Sequence, residues 1–168
     1  MAIESQKKWE GKFFAKVTGH SADEVWPLLE DFFNIHKWIP ALETCHGIEG
    51  VSGQRGCVRY CAANVKPSEG SGETTINWAM EKLVAIDPVK RCFSYEIIDS
   101  SDGFTSYEAT MNVLGGDNDE EDLCKLEWSF AVDPVEGWKL EDLISFYSST
   151  LEIMAKRMEE ALQATKQT

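Results

Sequence analysis

The sequence predicts an α+β protein of helix-grip architecture: a curved, seven-stranded antiparallel sheet wrapped round one long C-terminal helix, with two short helices after the first strand. Three observations lead to this class. Between Lys8 and Val132 most segments alternate apolar and polar residues, the two-residue period of half-buried strands. Turn-type sequence of a few residues separates these segments, which favours antiparallel hairpins over crossover units. From Leu140 the period changes to three and four residues, the spacing of an amphipathic helix. A twisted sheet of this length cannot bury its concave face on itself, so the helix must cover it. Where curvature draws the sheet away from the helix a cavity remains, lined mainly by apolar side chains with a few polar ones.

Taken in order, Trp9, Phe13, Ala15 and Val17 alternate with Lys8, Lys12 and Lys16, giving a first strand over Lys8–Val17. His20-Ser21 interrupts it, and Ser21 followed by Glu24 has capping-box spacing, so a helix starts there with Val25, Trp26, Leu28 and Leu29 on its apolar side. Asp31–Lys37 reads as a second short helix, stopped by Pro40. Six strands follow, over Leu42–Glu49, Gly56–Ala63, Thr74–Ile86, Arg91–Ile98, Phe104–Leu114 and Leu123–Val132. Leu140, Leu143, Ile144, Tyr147, Leu151, Met154, Met158 and Leu162 then mark the long helix, from about Leu140 to Ala164. Residues 1–7 are expected to be a flexible terminus and residues 8–165 one domain, with no internal repeat or linker.

The 168 residues carry a formal net charge of -13 and 43% hydrophobic residues. Such an acidic surface repels phosphate backbones and anionic headgroups, which argues against nucleic acid as a partner. The N-terminal residues have no apolar run of signal-peptide type, and no stretch has the length of a membrane helix, so an integral membrane protein is not expected and a cytoplasmic location is. Five cysteines, an odd number scattered through apolar segments, are expected to be reduced, buried thiols. No metal site is expected: His20, His36 and His46 lack ligand spacing, and Cys57 and Cys61, four apart on one strand face, have no evident further ligands. The acidic run Asp117–Asp122 reads as a solvated hairpin turn. Phosphate-loop, nucleophile-elbow and Walker signatures are lacking.

Strand parity nominates the site. Phe93, Tyr95 and Ile97 share the core phase of one strand, Tyr107, Ala109, Met111 and Val113 that of the next, and Cys124, Leu126, Trp128, Phe130 and Val132 that of the last. Tyr95, Tyr107, Trp128 and Phe130, with Tyr147 of the helix, are therefore the candidate ligand-lining residues. Each buried phenol needs a partner, either backbone or water at the core edge or a ligand, and parity leaves both open. Arg59 shares its phase with Cys57 and Cys61, and Glu81 shares its phase with Ala79, Leu83 and Ala85, so both can face inwards. An arginine and a glutamate on strands are more often an exposed cross-strand pair; an inward pair would need mutual compensation and would respond to the pocket.

The blocks Trp9-Glu-Gly-Lys, Trp26-Pro-Leu-Leu-Glu-Asp-Phe-Phe-Asn-Ile-His-Lys, Gly56-Cys-Val-Arg-Tyr, Trp78-Ala-Met-Glu-Lys-Leu-Val-Ala-Ile-Asp, Tyr107-Glu-Ala-Thr-Met and Trp128-Ser-Phe together resemble the plant lachrymatory factor synthase family. That family is a branch of the START and birch-pollen-allergen-like superfamily, and the resemblance spans nearly the whole chain. It implies a catalytic pair at Arg59 and Glu81, with Tyr95 and Tyr107 contributing. It also implies a cofactor-free isomerisation of a sulfenic acid to a thial S-oxide, in which one proton moves from oxygen to carbon. A proton-shuttling carboxyl and a cation for developing oxyanion charge meet that need. The polar connection from Asn64 to Glu73 departs from what the resemblance leads one to expect at the pocket rim. Three functions therefore stand: binding of a small apolar or amphipathic metabolite, with Arg59 and Glu81 as polar anchor; a cofactor-free isomerase; and a hormone sensor like the abscisic acid receptors. For the last, the corresponding loops here, Ala63-Asn-Val-Lys-Pro and Ser101-Asp-Gly-Phe-Thr, do not resemble the gate and latch of those receptors.

Overall fold

The computed structural model describes residues 7–65, 75–115 and 123–166. Residues 1–6, most of the polar connection after Asn64, and the acidic turn Asp117–Asp122 lie outside the described residues. The chain runs β1 (Trp9–Thr18), α1 (Ala22–Glu30), a 3₁₀ helix (Phe32–Lys37), β2 (Thr44–Glu49), β3 (Val58–Val65), β4 (Thr75–Asp87), β5 (Cys92–Ser100), β6 (Glu108–Gly115), β7 (Leu123–Val132) and α2 (Leu140–Lys166). All neighbouring strands are antiparallel, and their order across the sheet is β1-β7-β6-β5-β4-β3-β2. The first and second strands in the chain are thus the two edges. The pair of short helices carries the chain between them.

Local sequence explains the elements. Ser21 accepts the Glu24 backbone N–H while the Glu24 carboxylate accepts the Ser21 N–H, which closes the expected capping box at the start of α1. The second short helix forms as a tighter 3₁₀ turn and ends at Lys37, before Pro40. It can lie close on β2 because Gly47 has no side chain: a Cβ there would stand 2.3 Å from the Phe33 ring. The core lies between the sheet and α2, where Leu143, Tyr147, Leu151, Met154 and Met158 are buried and the helix packs on β1 and β7. Among the described residues no helix is long and apolar enough to cross a membrane.

The structure departs from the sequence expectation at several points, beyond shifts of two residues at the starts of β2 and β3. β6 begins at Glu108, not Phe104, because Ser106 takes a left-handed backbone (φ 54°) that breaks the ladder. A register shift between Leu83 and Ala85 makes Val84 an extra residue in β4. Parity flips there, so Ala85, expected inward with Glu81 and Leu83, is exposed, and Ile86 packs on the core instead. Ile144 falls off the buried stripe of α2 and is 37% exposed. Of the five free thiols, Cys57, Cys61 and Cys124 are buried as expected, whereas Cys45 and Cys92 are only half-buried.

Candidate ligand-binding site

Between sheet and α2 lies a cavity of about 620 Å³, within the range of small-molecule sites. Its wall is predominantly apolar; of the charged residues on it, Glu43, Arg59, Glu81 and Asp102, only Arg59 is buried, and Glu81 is paired with it. They sit directly opposite one another on β3 and β4. Arg59 Nε donates to Glu81 Oε1 at 2.8 Å, and Nη1 donates to the Phe32 carbonyl oxygen at 2.8 Å. The guanidinium also lies 3.7 Å from the centroid of the Phe32 ring and 5.1 Å from that of Tyr95. Burial is the largest single effect and works against the Arg59 charge, but the Glu81 carboxylate together with Cys61, Tyr95 and Cys45 outweighs it, so the guanidinium pKa is raised and the group stays charged. Its Nη2 makes no hydrogen bond among the described residues. The side chains of Arg59 and Glu81 are 4% and 13% exposed, so the carboxylate is the more open partner.

Aromatic hydroxyls extend the polar side of the wall. Tyr95 accepts a hydrogen bond from Trp128 Nε1 at 3.2 Å. Tyr147, projecting from α2, shares a short hydroxyl–hydroxyl bond with Tyr107 and packs edge-on against Trp128, with ring centroids 4.5 Å apart. Burial pushes the phenols of Tyr95, Tyr107 and Tyr147 above the usual range, so all three remain neutral donors at physiological pH.

The structure therefore brings Arg59, Glu81, Tyr95, Trp128 and Tyr147 to the cavity wall. Tyr107 and Phe130 stand behind it: Tyr107 holds the Tyr147 hydroxyl, and Phe130 stacks on the Tyr147 ring at 4.8 Å. Parity gave them the inward side correctly but could not tell a wall from the layer supporting it. Sequence reasoning placed the connection after Asn64 at the rim, and Asn64 does line the cavity, but the rest of the rim was missed. Ile35 and Ile39 approach from the 3₁₀ helix side, Asp102 and Phe104 from the loop after β5, and Trp138 and Phe146 from the start of α2. Phe104 and Trp138 pair across the opening with ring centroids 5.9 Å apart. The available signal was Trp138, an aromatic in a connection assigned to no strand or helix; Phe104 was hidden because it reads as the first residue of a strand. Among the described residues no group of three or more His, Cys, Asp or Glu is placed to hold a metal ion.

A curved seven-stranded sheet closed by a long helix over a cavity with one buried ion pair defines a helix-grip pocket protein. The chain belongs to the family described as polyketide cyclase / dehydrase and lipid transport, whose model matches residues 16–167. Solved structures share the fold. The protein XoxI from Bacillus cereus superposes with a TM-score of 0.68 at 21% identity, covering 94% of this chain and 97% of that one. A START superfamily protein from Mycobacterium smegmatis gives 0.68 at 15% identity, over 95% and 99% of the two chains. Major latex-like protein 151 of Panax ginseng gives 0.65 at 18% identity, over 91% and 97%. At these identities the likeness is one of fold.

Proposed function

We propose that the protein binds a small amphipathic metabolite in the cavity, its apolar body against the aromatic wall and its polar end at Arg59 and Glu81. The observation that carries this reading is the ion pair itself. Burying two charges costs several kcal/mol per ion on the usual scale, about what a protein spends only when the charges are compensated. Here they stand on the wall of an open, mainly apolar cavity, not in a filled core. The family description, which includes lipid transport, supports the same reading.

A second reading is favoured by one geometric fact: a guanidinium and a partly open carboxylate lie 2.8 Å apart, facing one cavity. That is the pairing a cofactor-free isomerase of the lachrymatory factor synthase type would use, the carboxyl moving a proton and the cation holding oxyanion charge. One experiment separates the two. Native mass spectrometry of freshly purified protein should detect a co-purified small molecule, lost from the paired variant Arg59→Leu with Glu81→Leu. With that ligand or a sulfenic acid precursor, Glu81→Gln should leave binding nearly intact. A binding protein shows no turnover to lose, whereas an isomerase loses at least about a hundredfold. A parent protein that neither carries nor takes up any small molecule would overturn both readings.

A further inference from the structure

Cys45 and Cys61 are register partners across β2 and β3, and their sulfurs lie 3.4 Å apart. Cys61 lines the cavity, one ladder step from Arg59, and its thiol also points at Glu81 Oε1, 3.9 Å away. Cys45, half-buried on the edge strand, is the more accessible of the two. His36, at the end of the 3₁₀ helix, stands beside it. The two thiols and the imidazole beside the Arg59–Glu81 pair have no role in the binding of a ligand as described above.

We propose that Cys45 and Cys61 form a dithiol modification site that exchanges with small-molecule disulfides and closes into a cross-strand disulfide between β2 and β3. The geometry permits it with little movement. Directly opposite residues of an antiparallel pair have Cα atoms about 4.5–5.5 Å apart, inside the range a disulfide spans. The sulfurs need only approach from 3.4 Å to about 2.0 Å by side-chain rotation. The two thiols are also unequal, as exchange requires. The hydrogen bond from Cys61 outweighs burial and, with the Arg59 charge and His36, holds the Cys45 thiol down to about 6. The same hydrogen bond and burial push Cys61 up. Cys45, the lowered and more accessible thiol, is thus the attacking group and Cys61 the resolving one.

The chemistry balances. The Cys45 thiolate attacks one sulfur of the small disulfide; that S–S bond breaks, a mixed disulfide forms on Cys45, and the first small thiolate leaves with the electron pair. Cys61 then loses its proton, with the Glu81 carboxylate as the nearest acceptor, and attacks the Cys45 sulfur. The second small thiolate leaves and takes up that proton. Two protein thiols and one small disulfide become one protein disulfide and two small thiols, two electrons passing from protein to reagent.

The test uses the reduced full chain and oxidised glutathione, followed by acid quench, thiol alkylation and peptide mass mapping. The expected product is a single disulfide joining Cys45 to Cys61, formed while Cys57, Cys92 and Cys124 are still alkylated. Cys61→Ser should stop at a glutathione adduct on Cys45, and Cys45→Ser should leave Cys61 unmodified. In the parent protein, Cys45 should react at least about tenfold faster than buried Cys57 or Cys124. Persistence of free Cys45 and Cys61 after other thiols have reacted, or a disulfide joining other cysteines, would overturn the proposal without touching the metabolite-binding reading.

Discussion

Arg59 shows what a single residue takes from its surroundings. Its partners are a carboxylate one strand away, a backbone carbonyl 27 positions earlier in the chain, and two aromatic faces. Strand parity made the first partner legible, because Arg59 and Glu81 each share a phase with small or apolar residues. The Phe32 contacts had no signature, since nothing periodic links a turn residue to a strand so distant in sequence. The rim residue Asp102 offers a test at this scale. Partial burial pushes its carboxyl above the ordinary value, so the folded state holds the proton more tightly than the unfolded chain does. A raised folded pKa contributes stability at low pH that is lost as pH rises through that value. Asp102→Asn removes the titration, so relative to the parent it should gain unfolding free energy between about pH 3 and pH 7. Denaturant midpoints at the two pH values check this, and a constant difference between the proteins would contradict it.

Elements were read most surely where one period held from end to end. β7 occupies Leu123–Val132 as expected, with its core phase Cys124, Leu126, Trp128, Phe130 and Val132 buried. β4 was read only in part. The extra residue Val84 leaves no mark in the sequence, because Leu83-Val-Ala-Ile is apolar on both phases and parity simply ran through it. The 3₁₀ helix depends on a feature of its neighbour: Phe33 fills the space that a side chain at position 47 would need. Gly47→Val should therefore displace the helix that brings the Phe32 carbonyl and ring to Arg59. Overpacking at such a contact costs about 1–3 kcal/mol. The expected outcome is a lowered denaturation midpoint together with weaker ligand uptake. Unchanged uptake would mean that the 3₁₀ helix does not hold the guanidinium in place.

At the scale of the molecule, sheet and helix do not fill the space they enclose, and the aromatic rim of Phe104, Trp138 and Phe146 borders what remains. The architecture was legible because the change of period at Leu140 and the run of short turns leave few ways to bury the sheet. The cavity's occupant was not, because volume and rim depend on loops that pattern does not constrain. The net charge of -13 repels anions at long range, so an anionic probe that binds reports the local field of Arg59. The most direct test of the central claim is therefore a fluorescence titration with anilinonaphthalene sulfonate, an aromatic anion of suitable size, on natively folded protein. One saturable site per chain is expected, with affinity reduced at least about tenfold in Arg59→Leu with Glu81→Leu, the scale of one charge-assisted hydrogen bond. Unsaturable or absent binding, or equal affinity in the variant whose fold is intact by circular dichroism, would contradict a cavity anchored at Arg59 and Glu81.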